Sequence, residues 1–99
     1  MEFLLIIKPE AEKDIQNSIK YYAEQNLKLP VEFLKKLDES LLAIQQNPQH
    51  YQKRYLEIRI VFTKKFPYGI YFTLEENKIF VHAVLHNKQN PTSAKKRVK

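Results

Sequence analysis

The spacing of apolar residues changes at Asn47-Pro48, and that change restricts the chain to a mixed helix and sheet architecture. Before it, Ala11, Ile15, Ile19, Tyr22 and Ala23 recur every three or four residues, as do Phe33, Leu34, Leu37, Leu41 and Ile44. Each set therefore lies on one face of a helix. After it, apolar residues recur every second position in 55–62, 66–74 and 79–86, the period of a strand. Pro9 opens the first helix, with Glu10, Glu12 and Asp14 near the positive end of its dipole. That helix is expected to end near Gln25-Asn26, since Asn tolerates a left-handed terminus. The second runs from Pro30 to Gln46, where Asn47-Pro48 stops it.

Ahead of both helices, "EFLLIIK" is continuously apolar and reads as a strand buried on both faces. Two amphipathic helices joined by a short link need a sheet to cover their shared face. The expected fold is therefore α+β: a strand, a helical hairpin, then a three-stranded antiparallel meander, all in one sheet packed on the helices. The polar, cationic tail "NKQNPTSAKKRVK" is a short helix begun after Asn90-Pro91 or a disordered arm. At 99 residues, with no internal repeat, the chain is expected to be one domain, residues 1–99, with one modest core.

Several function classes are excluded by what the chain lacks. There is no cysteine, hence no disulfide framework, thiolate metal site or cysteine nucleophile. The single glycine, Gly69, cannot build a phosphate-binding loop, and no G-x-S-x-G or H-E-x-x-H motif is present. His82 and His86 have HxxxH spacing, but on a strand they stand about 13 Å apart, too far to share an ion. No metal and no cofactor are expected. The N-terminal apolar run of five residues is too short for a signal peptide or a membrane span, so a cytoplasmic location and no membrane partner are expected.

The net charge of +6 is uneven: residues 1–49 carry six lysines against eight acids, and residues 50–99 carry eleven cations against three acids. A field of that sign suits a phosphate backbone or an acidic protein. In the meander, Leu56, Ile58, Ile60 and Phe62, then Phe66, Tyr68, Ile70, Phe72 and Leu74, then Ile79, Val81, Ala83 and Leu85 are assigned to the helix-facing side. The opposite, open face then collects Arg59, Tyr71, His82 and His86, with Lys64, Lys65, Lys88, Lys95, Lys96 and Arg97 around it. Gly69 leaves a shallow place on that face where something could approach the backbone. Such a set could hold a nucleic-acid backbone, with a histidine taking a proton from a ribose 2′-OH while cations steady the phosphorane-like transition state. Solvated lysines and surface histidines are the plainer alternative.

The segments "DIQNSIKYYAEQN", "YQKRYLEIRIVFTKKFPYGIYF" and "VHAVLHNKQNP" resemble the RelE/ParE superfamily of toxins from bacterial toxin-antitoxin modules. The resemblance runs from Leu4 to about Arg97. It implies an antitoxin partner, in a heterotetramer or a higher complex, whose acidic C-terminal segment wraps the toxin with a helix in a groove. It also implies one of two activities. RelE-type members cut mRNA on the ribosome and carry arginines at places that here hold Gly69 and, approximately, Asn87. ParE-type members inhibit DNA gyrase and need a binding surface only, and this chain is more similar to them. Gln89 stands where an arginine is common, and a degenerate member that retains only antitoxin binding is the third alternative. On the ParE-type reading, Arg59, Lys64, Lys65, Tyr71, Lys88 and Arg97 are candidates for contact with target or antitoxin. On the RelE-type reading, His82, His86 and Lys64 are the catalytic candidates.

Overall fold

The computed structural model describes residues 2–98. Strand β1 (Leu4–Ile7) leads into helices α1 (Pro9–Gln25) and α2 (Leu29–Gln46), and a 3-10 turn at Pro48–His50 ends the hairpin. Strands β2 (Lys53–Tyr55), β3 (Ile58–Phe62), β4 (Tyr68–Glu75) and β5 (Lys78–His86) follow, then helix α3 (Thr92–Arg97). The sheet order is β1-β5-β4-β3-β2, with β1 parallel to β5 and the other pairs antiparallel. The α+β architecture, helical hairpin and antiparallel meander are as expected, and α3 is the short helix that was one option for the tail. At six residues it is too short to hold itself, and it depends on what it packs against.

Three local expectations give way. Asn26 ends α1 in an extended conformation, φ −165°, rather than a left-handed one. Its side chain accepts the Lys28 N–H at 2.9 Å, a local turn that redirects the chain into α2. Strand β1 is an edge strand with Leu4 55% exposed, so it is not buried on both faces. The segment 55–62 is not one strand either, because Leu56 and Glu57 form a turn between β2 and β3. Leu56 takes positive φ there and projects into solvent at 96% exposure.

The main core lies between the helices and one face of the sheet. It joins Ala11, Ile15, Phe33, Leu37, Leu41 and Ile44 to Val61, Phe66, Ile70, Phe72, Ile79 and Val81. At one end, Phe66 meets Tyr22 edge-on at 5.2 Å and Phe33 at 5.6 Å, and Tyr68 lies 5.0 Å from Phe33. Each such pair adds about 0.5–1.5 kcal/mol beyond its buried area. The aromatics of "FPYGIYF" thus mostly clamp the helical hairpin to the sheet.

The other face of the sheet is not open. Ile58, Ile60, Tyr71, Ala83 and Leu85 form a second core with Ala94 of α3, flanked by Tyr55 and Val98. Ile58, Ile60, Ala83 and Leu85 therefore point away from the hairpin, and Phe62 is half exposed. In β5 the reversal has a mechanical cause. Tyr71 pairs with Ala83 but Phe72 pairs with Val81, so His82 is the extra residue of a β-bulge. Val81 faces the main core before the bulge and Val84 faces it afterwards.

Candidate functional site

Bulge, α1 and α3 meet at one polar hub. Strand β1 stops pairing with β5 at Val81, where the Lys8 N–H donates to the Val81 carbonyl at 2.9 Å. Beyond that point the edge of β5 has no neighbouring strand among the described residues, and side chains replace it. Asp14 of α1 accepts the Val84 N–H at 3.0 Å, and Gln89 accepts the His86 N–H at 2.8 Å. The Asp14 carboxylate also receives both terminal nitrogens of Arg97, at 2.6 and 3.3 Å, while Arg97 Nη1 donates to the His82 carbonyl at 3.1 Å and Nε lies 3.3 Å from Glu10. Hydrogen bonding to Asp14, foremost, raises the Arg97 pKa. Asp14 was read from sequence only as a first-helix acid. Its place on the Ala11, Ile15, Ser18 and Tyr22 stripe was the available signal, since an acid on a core face needs a partner.

Beside the hub, between the second face and α3, is a cleft of about 560 Å³ bordered by Lys8, Glu75, Phe80, His82, Arg97 and Val98. His82 is 8% exposed, and its Nε2 shares a 2.8 Å hydrogen bond with Thr73 Oγ1. Burial, assisted by Lys8 and opposed by Glu75 and Glu10, lowers the His82 pKa. The unfolded chain takes up this proton near the ordinary value of ~6.5, whereas the folded chain resists it to lower pH. This contribution to stability is therefore complete above ~6.5 and declines as pH falls through and below that value, by at most ~1.4 kcal/mol per pH unit. Thermal melts at about pH 7.5 and 5.5 should show this decline, and His82→Gln, which keeps a hydrogen-bonding group but cannot titrate, should flatten it. An unchanged decline in the variant would assign it to other groups.

The candidates from sequence are not gathered on one face. Tyr71 is buried in the second core, and burial raises its pKa. His86 lies on the opposite side from His82, edge-on to Tyr68 at 5.3 Å, and its Nδ1 accepts the Lys88 N–H at 3.1 Å. The bulge separates the two histidines, which strict alternation had placed together. Arg59 pairs across β3 and β4 with Phe72 and so lies on the helix-facing side. Its Nε and Nη1 are buried without a hydrogen-bond partner among the described residues. Lys88 is exposed in the turn after β5, and Arg97 is committed to the hub. Gly69 offers no approach to the backbone: the space above it is filled by Tyr71, Ile60 and Phe62, all within 3.5 Å of where a Cβ would stand.

Lys64 and Lys65 project towards α2. Lys65 pairs with Glu32 and lies 5.8 Å from the Phe66 ring. Lys64 borders a groove of about 320 Å³ between α2 and β3, lined also by Lys36, Glu39, Ala43, Tyr51, Val61 and Phe62. Phe62, half exposed, gives that groove an apolar wall. Among the described residues no cluster of metal-binding side chains exists, and no helix is long and apolar enough to cross a membrane.

A family model described as the ParE toxin of the type II toxin-antitoxin system, parDE, matches residues 5–91. No curated protein sequence matches significantly. Among solved structures, the chromosomal ParDE toxin-antitoxin system from P. aeruginosa superposes with a TM-score of 0.77 at 12% identity, over 86% of this chain and 96% of that one. The E. coli toxin RelE, as a variant with two arginines replaced by alanine in the free state, superposes with a TM-score of 0.74 at 16% identity over all of both chains. At these identities the two likenesses establish the fold.

Proposed function

The chain belongs to the ParE toxin family of type II toxin-antitoxin systems, and from that premise we propose that it acts by binding DNA gyrase and is neutralised by a cognate antitoxin. The dispersal of the ribonuclease candidates carries the choice of target. General acid/base cleavage needs a proton-transfer group and cations converging on one phosphate. Here His82 is under α3 and bonded to Thr73, His86 is across the sheet beside Tyr68, and Lys64 borders the α2–β3 groove. A binding toxin needs no such convergence.

The antitoxin would lay an amphipathic helix in the α2–β3 groove, its apolar side on Phe62 and Val61 and its acids near Lys64, away from Glu39, which pairs with Lys36. We place the protein in the cytoplasm as one toxin domain, in a heterotetramer or larger complex with that antitoxin. The decisive experiment is DNA supercoiling by purified gyrase with the chain added at micromolar concentration. Inhibition is expected, relieved by the antitoxin and retained by the His82→Gln/His86→Gln double variant. Pulse labelling after induction should show DNA synthesis falling before protein synthesis. The reverse order, with transcripts cut, would replace this reading by the ribonuclease one.

A further inference from the structure

Helix α2 carries two exposed apolar residues, Val31 and Leu42, on a line beside its core stripe. Phe33, Leu37, Leu41 and Ile44 face the core. Val31, Asp38 and Leu42 lie along the outer line, and Leu34, half-buried against the main core, lies between it and the core stripe. Val31 is 69% and Leu42 56% exposed, and these residues with Lys35 and Glu39 line an open trough of about 510 Å³. Leu27, in the turn before α2, is 81% exposed. Lys35 and Asp38 make no ion pair among the described residues, whereas their neighbours Lys36 and Glu39 pair with each other at 3.5 Å.

The order of charges along this line selects its occupant. An acidic peptide would meet Asp38 and Glu39, and a basic one would meet Lys35. A second copy run antiparallel gives Lys35 and Asp38 opposite charges, while Glu39 keeps its pair with Lys36 at the rim. We propose that two copies of this chain pair through the outer face of α2, about a twofold axis passing between Lys36 and Leu37. That axis sets Val31 level with the partner's Leu42, and Lys35 level with the partner's Asp38. Because the twofold acts twice, two apolar pairs flank two ion pairs over a helix length of roughly 16 Å. So small an interface, below about 1,000 Å², gives a weak dimer with a dissociation constant of tens of micromolar. The trough meets the α2–β3 groove at Glu39, which borders both, and the pairing does not depend on the gyrase reading.

Sedimentation velocity of the purified chain from about 5 to 300 µM tests this. The expected result is a monomer–dimer equilibrium that Leu42→Lys abolishes without lowering the melting temperature, since Leu42 is exposed. Lys35→Glu and Asp38→Lys should each weaken the dimer about tenfold, and the double exchange should return it to within about threefold of the native value, because the ion pairs re-form with their signs swapped. Lys35 and Asp38 are also i,i+3 neighbours on one helix, so restoration by the double variant counts for the dimer only with melting temperatures of the single variants unchanged, which excludes a fold defect. A chain monomeric throughout this range, a dimer indifferent to all four variants, or a monomeric chain whose antitoxin binding is lost in Leu42→Lys would each overturn the proposal. In the last case the face belongs to the antitoxin.

Discussion

Asp14→Ala is expected to lower the melting temperature by about 15 °C and to release α3 from the sheet. The Asp14 side chain is 14% exposed and that of Arg97 18%, so water cannot take the place of either partner cheaply. Removing the carboxylate leaves the Arg97 guanidinium against the His82 carbonyl and the partly exposed Glu10, and leaves the Val84 N–H without an acceptor. Deleting one member of a buried ion pair costs about 3–5 kcal/mol, and the residual exposure here favours the lower end. For a domain of this length each kcal/mol moves the midpoint by roughly 4–8 °C.

The consequence for α3 follows from its length. Six residues cannot remain helical unaided, and Arg97 is the anchor at its end. Trypsin should therefore cut at Lys95 and Lys96 faster in Asp14→Ala than in the native chain. Arg97→Met should release α3 while leaving the Val84 N–H satisfied, so it should cost less stability than Asp14→Ala. The double variant should cost less than the sum of the two single ones. A midpoint within about 3 °C of native for Asp14→Ala would show that the hub is solvated and contributes little.

The helices were legible because an amphipathic helix uses a period that nothing else in the chain imitates. Ala11, Ile15 and Tyr22 on α1, and Phe33, Leu37, Leu41 and Ile44 on α2, are buried as their spacing requires. The strands were legible as strands, but their faces were not. Alternation in 58–62 separates Ile58 and Ile60 from Val61 and does not say which set meets the hairpin. In a sheet covered on both sides each set has a core to enter. Arg59 was therefore put on the wrong side, and Tyr71, on the side expected, is buried because that face is covered.

His82 shows a second limit. A bulge adds one residue to a strand without altering its composition, so strict alternation carried past it puts His86 on the wrong side. Asp14 shows a third, because its role depends on a backbone N–H seventy residues away. The exposed pair Val31 and Leu42 was hidden beside the stronger core stripe of the same helix.

Reversing the charge at Lys64 and Lys65 together is expected to weaken antitoxin binding on the order of 100-fold at low salt, because replacing attraction by like-charge contact costs a few kcal/mol. The two residues should contribute differently. Lys65 already pairs with Glu32, so Lys65→Glu sets two carboxylates together within the chain and weakens the attachment of the β3–β4 turn to α2. Lys64 has no ion pair among the described residues and stands at the groove rim beside Phe62. Lys64→Glu alone should therefore produce most of the loss, chiefly in the association rate, and should flatten the salt dependence of what remains. The Lys65→Glu/Glu32→Lys exchange restores the intrachain pair and should recover stability with little change in affinity. Surface plasmon resonance at two salt concentrations separates these cases. Native affinity in Lys64→Glu would make that lysine a solvated one and move the antitoxin helix out of this groove.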